Sequence, residues 1–197
     1  TEIYYNLRNI RFRQGDMRRA LNLYEKALEM DEFHRPTLLA MVELYEKEHN
    51  YKSAAEVKER MVSALGPDDD KVAVLSELGE YYKDKVKDEK MAIDAYERAL
   101  SIDMENVILM HELIELYQST EQWKRVAKLM IRLAEQEDDV TVRARYWYSV
   151  AGIYRSYLES LDDAIEYYNR SLDDDYTNLK AFSYVDQMLN SKKDWKM

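Results

Sequence analysis

The chain has no cysteine, which excludes disulfides, thiolate metal sites and cysteine nucleophiles. Two prolines and four glycines in 197 residues are too few for the many tight turns of a β-rich fold. No apolar run approaches the roughly 18 to 20 residues that span a bilayer. A Gly-rich phosphate loop and a G-x-S-x-G string are both missing. Positive charge is also scarce: 29 Lys and Arg stand against 39 Asp and Glu, for a formal net charge of −10. Nucleic-acid surfaces neutralise phosphates with clustered basic side chains, so this balance argues against one. What the chain does have is 46% hydrophobic residues and 17 tyrosines, enough apolar surface to build a core.

That material is repeated. ALNLYEKALEMD from Ala20, AIDAYERALSID from Ala92 and AIEYYNRSLDDD from Ala164 align without gaps at an offset of 72 residues. The same offset links Tyr51, Trp123 and Trp195, each followed by a lysine. Each 72-residue unit holds two smaller ones, since small or β-branched residues recur at Ala20, Ala54, Ala92, Val126 and Ala164, spaced 34, 38, 34 and 38. Apolar residues between these marks share helical faces: Leu75, Leu78, Gly79 and Tyr82 on one helix, and Ala92, Ala95, Tyr96, Ala99 and Leu100 on the next. Breaks fall at Gln14-Gly15-Asp16, Gly66-Pro67-Asp68 and the acidic runs Glu137-Asp138-Asp139 and Asp173-Asp174-Asp175. The pattern predicts eleven helices, at about 2–13, 16–30, 35–49, 51–65, 70–86, 88–102, 105–119, 122–136, 140–158, 161–173 and 177–191. No segment alternates as a strand does, so the fold is predicted to be all-α.

Trp147-x-x-Val150-Ala151-x-x-Tyr154 followed by Ala164-x-x-x-Tyr168 resembles the tetratricopeptide signature, and Leu75-x-x-Leu78-Gly79-x-x-Tyr82 with Ala92-x-x-x-Tyr96 is a second close match. Looser copies begin at Leu38 and Met110, and the first copy keeps Ala20, Tyr24 and Ala27. The resemblance covers the whole chain and implies a single array over 1–197, with repeats near 1–34, 35–71, 72–106, 107–143, 144–178 and a partial one at 179–197. It implies a right-handed superhelical solenoid of antiparallel helix pairs. A lone repeat cannot bury its apolar face, so neighbours must stack. The small residues let helices approach, while Tyr24, Tyr96 and Tyr168 fill the space between repeats. Odd repeats carry one extra residue between their two helices, and even repeats are long at the junction to the next. Natural arrays end in polar capping helices. Neither end reads as one, and the chain is expected to be a piece of a longer array.

Chemistry is sparse. His111-Glu112-x-x-Glu115 has the start of a zinc-protease helix but lacks its second histidine. The acidic runs read as solvated helix caps rather than calcium loops. Tyrosines in repeat register read as core, whereas Tyr4, Tyr148 and Tyr157 fall off those positions. In tetratricopeptide proteins the first helices of successive repeats line a concave groove. The resemblance therefore implies groove positions at Tyr4, Arg8 and Arg11 in the first repeat, at Leu39, Glu43 and Glu46 in the second, and at Glu80 and Lys83 in the third. His111 and Glu115 follow in the fourth, and Arg145, Tyr148 and Arg155 in the fifth. Glu43, Glu80 and Glu115 occupy equivalent places and suggest an acidic groove suited to a Lys- or Arg-bearing segment. The family's Lys-Asn-Asn-Lys-Arg clamp for a peptide carboxylate is absent, since Tyr4, Arg8, Ala40, Ala73 and Glu77 stand at the corresponding positions. The expected function is a non-catalytic scaffold that binds another protein or peptide segment. The alternative is a docking or regulatory arm of a larger enzyme. No cofactor, metal, nucleic acid or membrane insertion is expected, and the expected location is cytoplasmic.

Overall fold

Ala20, Ala54, Ala92, Val126 and Ala164 are all at 0% exposure. Their short side chains leave room for neighbouring helices to close in, and large side chains such as Tyr24, Tyr96 and Tyr168 are buried beside them. The computed structural model describes residues 17–66 and 70–194. They form α1 (Met17–Met30), α2 (Arg35–Lys47), α3 (Tyr51–Ser63), α4 (Lys71–Tyr81), α5 (Glu89–Ile102), α6 (Val107–Ser119), α7 (Trp123–Gln136), α8 (Val140–Ser156), α9 (Leu161–Asp174) and α10 (Leu179–Asp194). Among the described residues there is no strand, and the fold is all-α. The helix predicted over 2–13 lies outside the described residues. The others fall within a few residues of their predicted bounds.

Two compact units divide the chain, Thr1–Met104 and Glu105–Met197. In the first, α1 to α5 pack each on the next, and in the second α6 to α10 do the same. Gly79 shows how tight this packing is. A Cβ placed there would lie 2.8 Å from the ring of buried Tyr96. Ala151, its counterpart in the second unit, is fully buried as well.

The four hairpins α2–α3, α4–α5, α6–α7 and α8–α9 turn by one device. A single non-glycine residue takes positive φ: His49 at 56°, Lys87 at 61°, Glu121 at 56° and Glu159 at 52°. It precedes the N-cap of the second helix, which is Asn50, Asp88, Gln122 or Ser160. The N-cap N–H then donates to the carbonyl of the signature tyrosine. These bonds are Asn50 to Tyr45 (2.8 Å), Asp88 to Tyr82 (3.0 Å), Gln122 to Tyr117 (2.7 Å) and Ser160 to Tyr154 (3.0 Å). The span is five residues in α2–α3 and α6–α7 but six in α4–α5 and α8–α9. The extra residue of the odd repeats thus sits in the last turn of the first helix. Tyr82–Val86 forms a π-helical turn after α4, and Leu158 N–H reaches the Ile153 carbonyl five residues back at 3.2 Å.

After α7 the additional residues extend α8 at its start, where the Asp139 carboxylate accepts from Thr141 N (2.8 Å) and Val142 N (3.2 Å). Arg143 of this turn makes a bidentate ion pair with Asp174 at the end of α9, at 2.6 and 2.8 Å. Asp70 caps α4 by accepting from Ala73 N at 3.0 Å, and α4 begins only at Lys71, the equivalent of Arg143.

Candidate functional site

The helices α2, α4, α6 and α8 present the expected groove positions. Glu43, Glu80 and Glu115 are each exposed, and each follows a buried residue, respectively Val42, Gly79 and Ile114. Glu43 and Glu80 belong to the first unit and Glu115 to the second. On α8 the equivalent place is taken by Gly152, so the acidic series stops there. Leu39, one turn before Glu43, is 47% exposed. Glu46 and Lys83 are half-buried, whereas His111 and Arg145 are exposed. Tyr4, Arg8 and Arg11 lie outside the described residues.

In the first unit the half-buried Glu46 faces Tyr81. Burial, and then the negative charge of Glu46, push the Tyr81 hydroxyl well above its ordinary value. That buried hydroxyl has no hydrogen-bond partner within ordinary geometric limits among the described residues. The Lys58 ammonium of α3 lies over the Tyr81 ring, 4.6 Å from its centre. Beside this group α2, α3 and α4 leave an apolar cavity of about 250 Å³. Leu39 and Val42 form one wall, Met61 and Leu65 a second, and Val74 and Leu78 a third, with Arg35, Lys58 and Glu77 as its charged members. Of these residues only Leu39 was expected from the sequence to face a ligand. The signal that would have found the cavity is the 72-residue offset, which sets Val74 against Tyr146.

In the second unit the groove candidates are partly committed to packing. Tyr148, off the core positions in the sequence reading, is half-buried and meets core Tyr168 edge to face at 5.4 Å. The Arg155 guanidinium lies over the Tyr184 ring of α10 at 3.7 Å. A hydrogen bond from Arg155 is the main reason the Tyr184 hydroxyl is held below its ordinary value. Arg155 and Tyr148 therefore join α8 to α9 and α10. His111 meets Tyr146, Nε2 to hydroxyl 3.4 Å. Among the described residues no group of three or more His, Asp or Glu side chains is placed to hold a metal. Nor is any described helix long and apolar enough to cross a membrane. Tyr157 is 53% exposed, but its ring stacks on Trp123 at 3.7 Å.

Residues 3–36 match the family model for the tetratricopeptide repeat. No curated protein matches the chain. Among solved structures, a chain of the Naa15/Naa10 complex bound to HypK shares 14% identity, with 98% of this chain and 29% of that one covered, at a TM-score of 0.60. YrrB, described as a tetratricopeptide protein with an unusual peptide-binding site, shares 21% identity over 96% of this chain and 90% of its own, at a TM-score of 0.45. For MamA the figures are 20% identity, 91% and 93% coverage and a TM-score of 0.45. The chain therefore resembles tetratricopeptide-repeat proteins, with the repeat itself matched over residues 3–36.

Proposed function

We propose that the first helices of each unit form a binding face for an extended segment of a partner protein. In the first unit this face is acidic, with Glu43 and Glu80 at equivalent places on α2 and α4 and Leu39 beside them as an apolar contact. The observation that carries the reading is the sharp alternation there: Val42 and Gly79 are buried while the next residue in each helix is an exposed carboxylate. A buried neighbour holds the backbone still and leaves the charge facing outward. A partner segment with basic residues would be steered to such a face, and binding would weaken as salt screens the charges. In the second unit Glu115 lies one helical turn after the exposed His111, so its face is more mixed.

The test is a binding titration at two salt concentrations with a partner captured from cell extract and identified by mass spectrometry. The Glu43→Gln, Glu80→Gln and Glu115→Gln triple variant is expected to bind more weakly and to lose most of the salt dependence. Unchanged affinity and unchanged salt dependence would place the partner on another surface.

A further inference from the structure

We infer that the cavity between α2, α3 and α4 is a second binding site, sharing only Leu39 with the acidic face, and that its occupant is an aromatic side chain flanked by carboxylates on a partner peptide. The internal repeat supplies the comparison. At the offset of 72 residues, Val74 and Leu39 correspond to Tyr146 and His111. In the second unit those two side chains reach across the gap between α6 and α8, with the Tyr146 hydroxyl 3.4 Å from His111 Nε2. In the first unit the same gap is lined by the shorter Val74 and Leu39 and stays open as a cavity of about 250 Å³. It is therefore an apolar space lacking the ring that its own repeat provides elsewhere, with room for a phenol from another chain. Two cations mark the occupant further. Arg35 and Lys58 line this cavity, and the equivalent residues in the second unit are the uncharged Val107 and Met130. On a chain of net charge −10, a pair of cations against one acid, Glu77, among the described residues that line it, selects for carboxylates beside the ring. This preference is opposite in sign to that of Glu43 and Glu80, so the two sites take different parts of a partner or different partners.

The experiment follows the methyl signals of Met61 and Leu39 by NMR in the whole chain during titration with acetyl-Glu-Tyr-Glu-amide. Saturable shifts are expected below about 10 mM, the range of a weak single-anchor contact. Acetyl-Glu-Ala-Glu-amide should give none, and acetyl-Lys-Tyr-Lys-amide should bind about three- to fivefold more weakly, as expected for losing exposed charge pairs. The double variant Val74→Tyr with Leu39→His, which copies the second unit, should keep its helical signal and weaken the probe at least about tenfold, as loss of an aromatic anchor does. Should that variant not fold, Lys58→Met with Arg35→Val decides: loss of the preference for the glutamate probe is expected, and an unchanged preference overturns the site. No saturable shift, equal shifts with the alanine probe, or full binding by a folded filled-cavity variant would also overturn it. Glu43→Gln with Glu80→Gln should leave the probe bound. Loss of binding there would put the probe on the acidic face and remove the case for a second site.

Discussion

At Gly79 a single methyl group has a measurable cost. Its Cβ would sit 2.8 to 2.9 Å from three atoms of the Tyr96 ring, and that ring is itself only 3% exposed. Gly79→Ala is therefore expected to destabilise the chain by about 1–3 kcal/mol in a urea titration, the usual cost of overpacking. Gly152 is the control, because a Cβ there has only the Tyr168 hydroxyl nearby, at 3.9 Å. Gly152→Ala should be neutral or stabilising by up to about 1 kcal/mol, the difference in helix propensity. Glu80→Leu, one residue from Gly79, should change stability by no more than about 0.5 kcal/mol. Equal losses at Gly79 and Glu80 would overturn the assignment of their faces. Positions of this kind were readable in the sequence, since a small residue at a fixed period states how close two helices come. Tyr148 and Arg155 were not. Their environment is set by Tyr168 and Tyr184, which lie on other helices, and the period of α8 alone carries no record of them.

Among the elements, excess sequence is taken up as helix. The single extra residue of the odd repeats was visible as a count, but the count did not say whether loop or helix would absorb it. The structure places it in the last turn of the first helix, because this keeps the signature tyrosine carbonyl available to the following N-cap. The turn itself relies on a left-handed residue that is never glycine here. Lys87→Val should therefore cost about 1–2 kcal/mol, and Lys87→Gly should recover part of the strain already present. The other excess, at the even junction after α7, became a helical turn at the start of α8. The turn before α8 carries Arg143, whose hydrogen bond holds the Asp174 carboxyl below the ordinary aspartate range. A depressed carboxylate pKa contributes stability above the unfolded value, and that contribution is lost as pH falls through the folded value. Asp174→Asn should thus lower the stability of the chain at neutral pH. The gap from the parent should close below about pH 3.9 and vanish once the native carboxyl is protonated. A constant gap between neutral pH and pH 2 would show that the pair adds nothing linked to its charge.

For the whole molecule, stacking of helix pairs was legible because it follows from repetition and from apolar faces too small to fold alone. The cavity was hidden for the opposite reason: it arises where two copies differ, and Val74 in place of Tyr146 is unremarkable in a list of apolar residues. The division into Thr1–Met104 and Glu105–Met197 has an optical consequence. All three tryptophans, Trp123, Trp147 and Trp195, have numbers above 104. Trp147 is 6% exposed and stacks on Tyr167 at 5.7 Å, so its emission should be quenched and shifted on unfolding. Indole fluorescence therefore watches one half of the chain, while far-ultraviolet circular dichroism watches the helices of both. Where coupling runs only between neighbouring repeats, the two halves need not melt together. The helical signal is expected to fall over a wider range of urea than the indole signal. Superimposable curves would mean that the chain unfolds as a single block despite its two units.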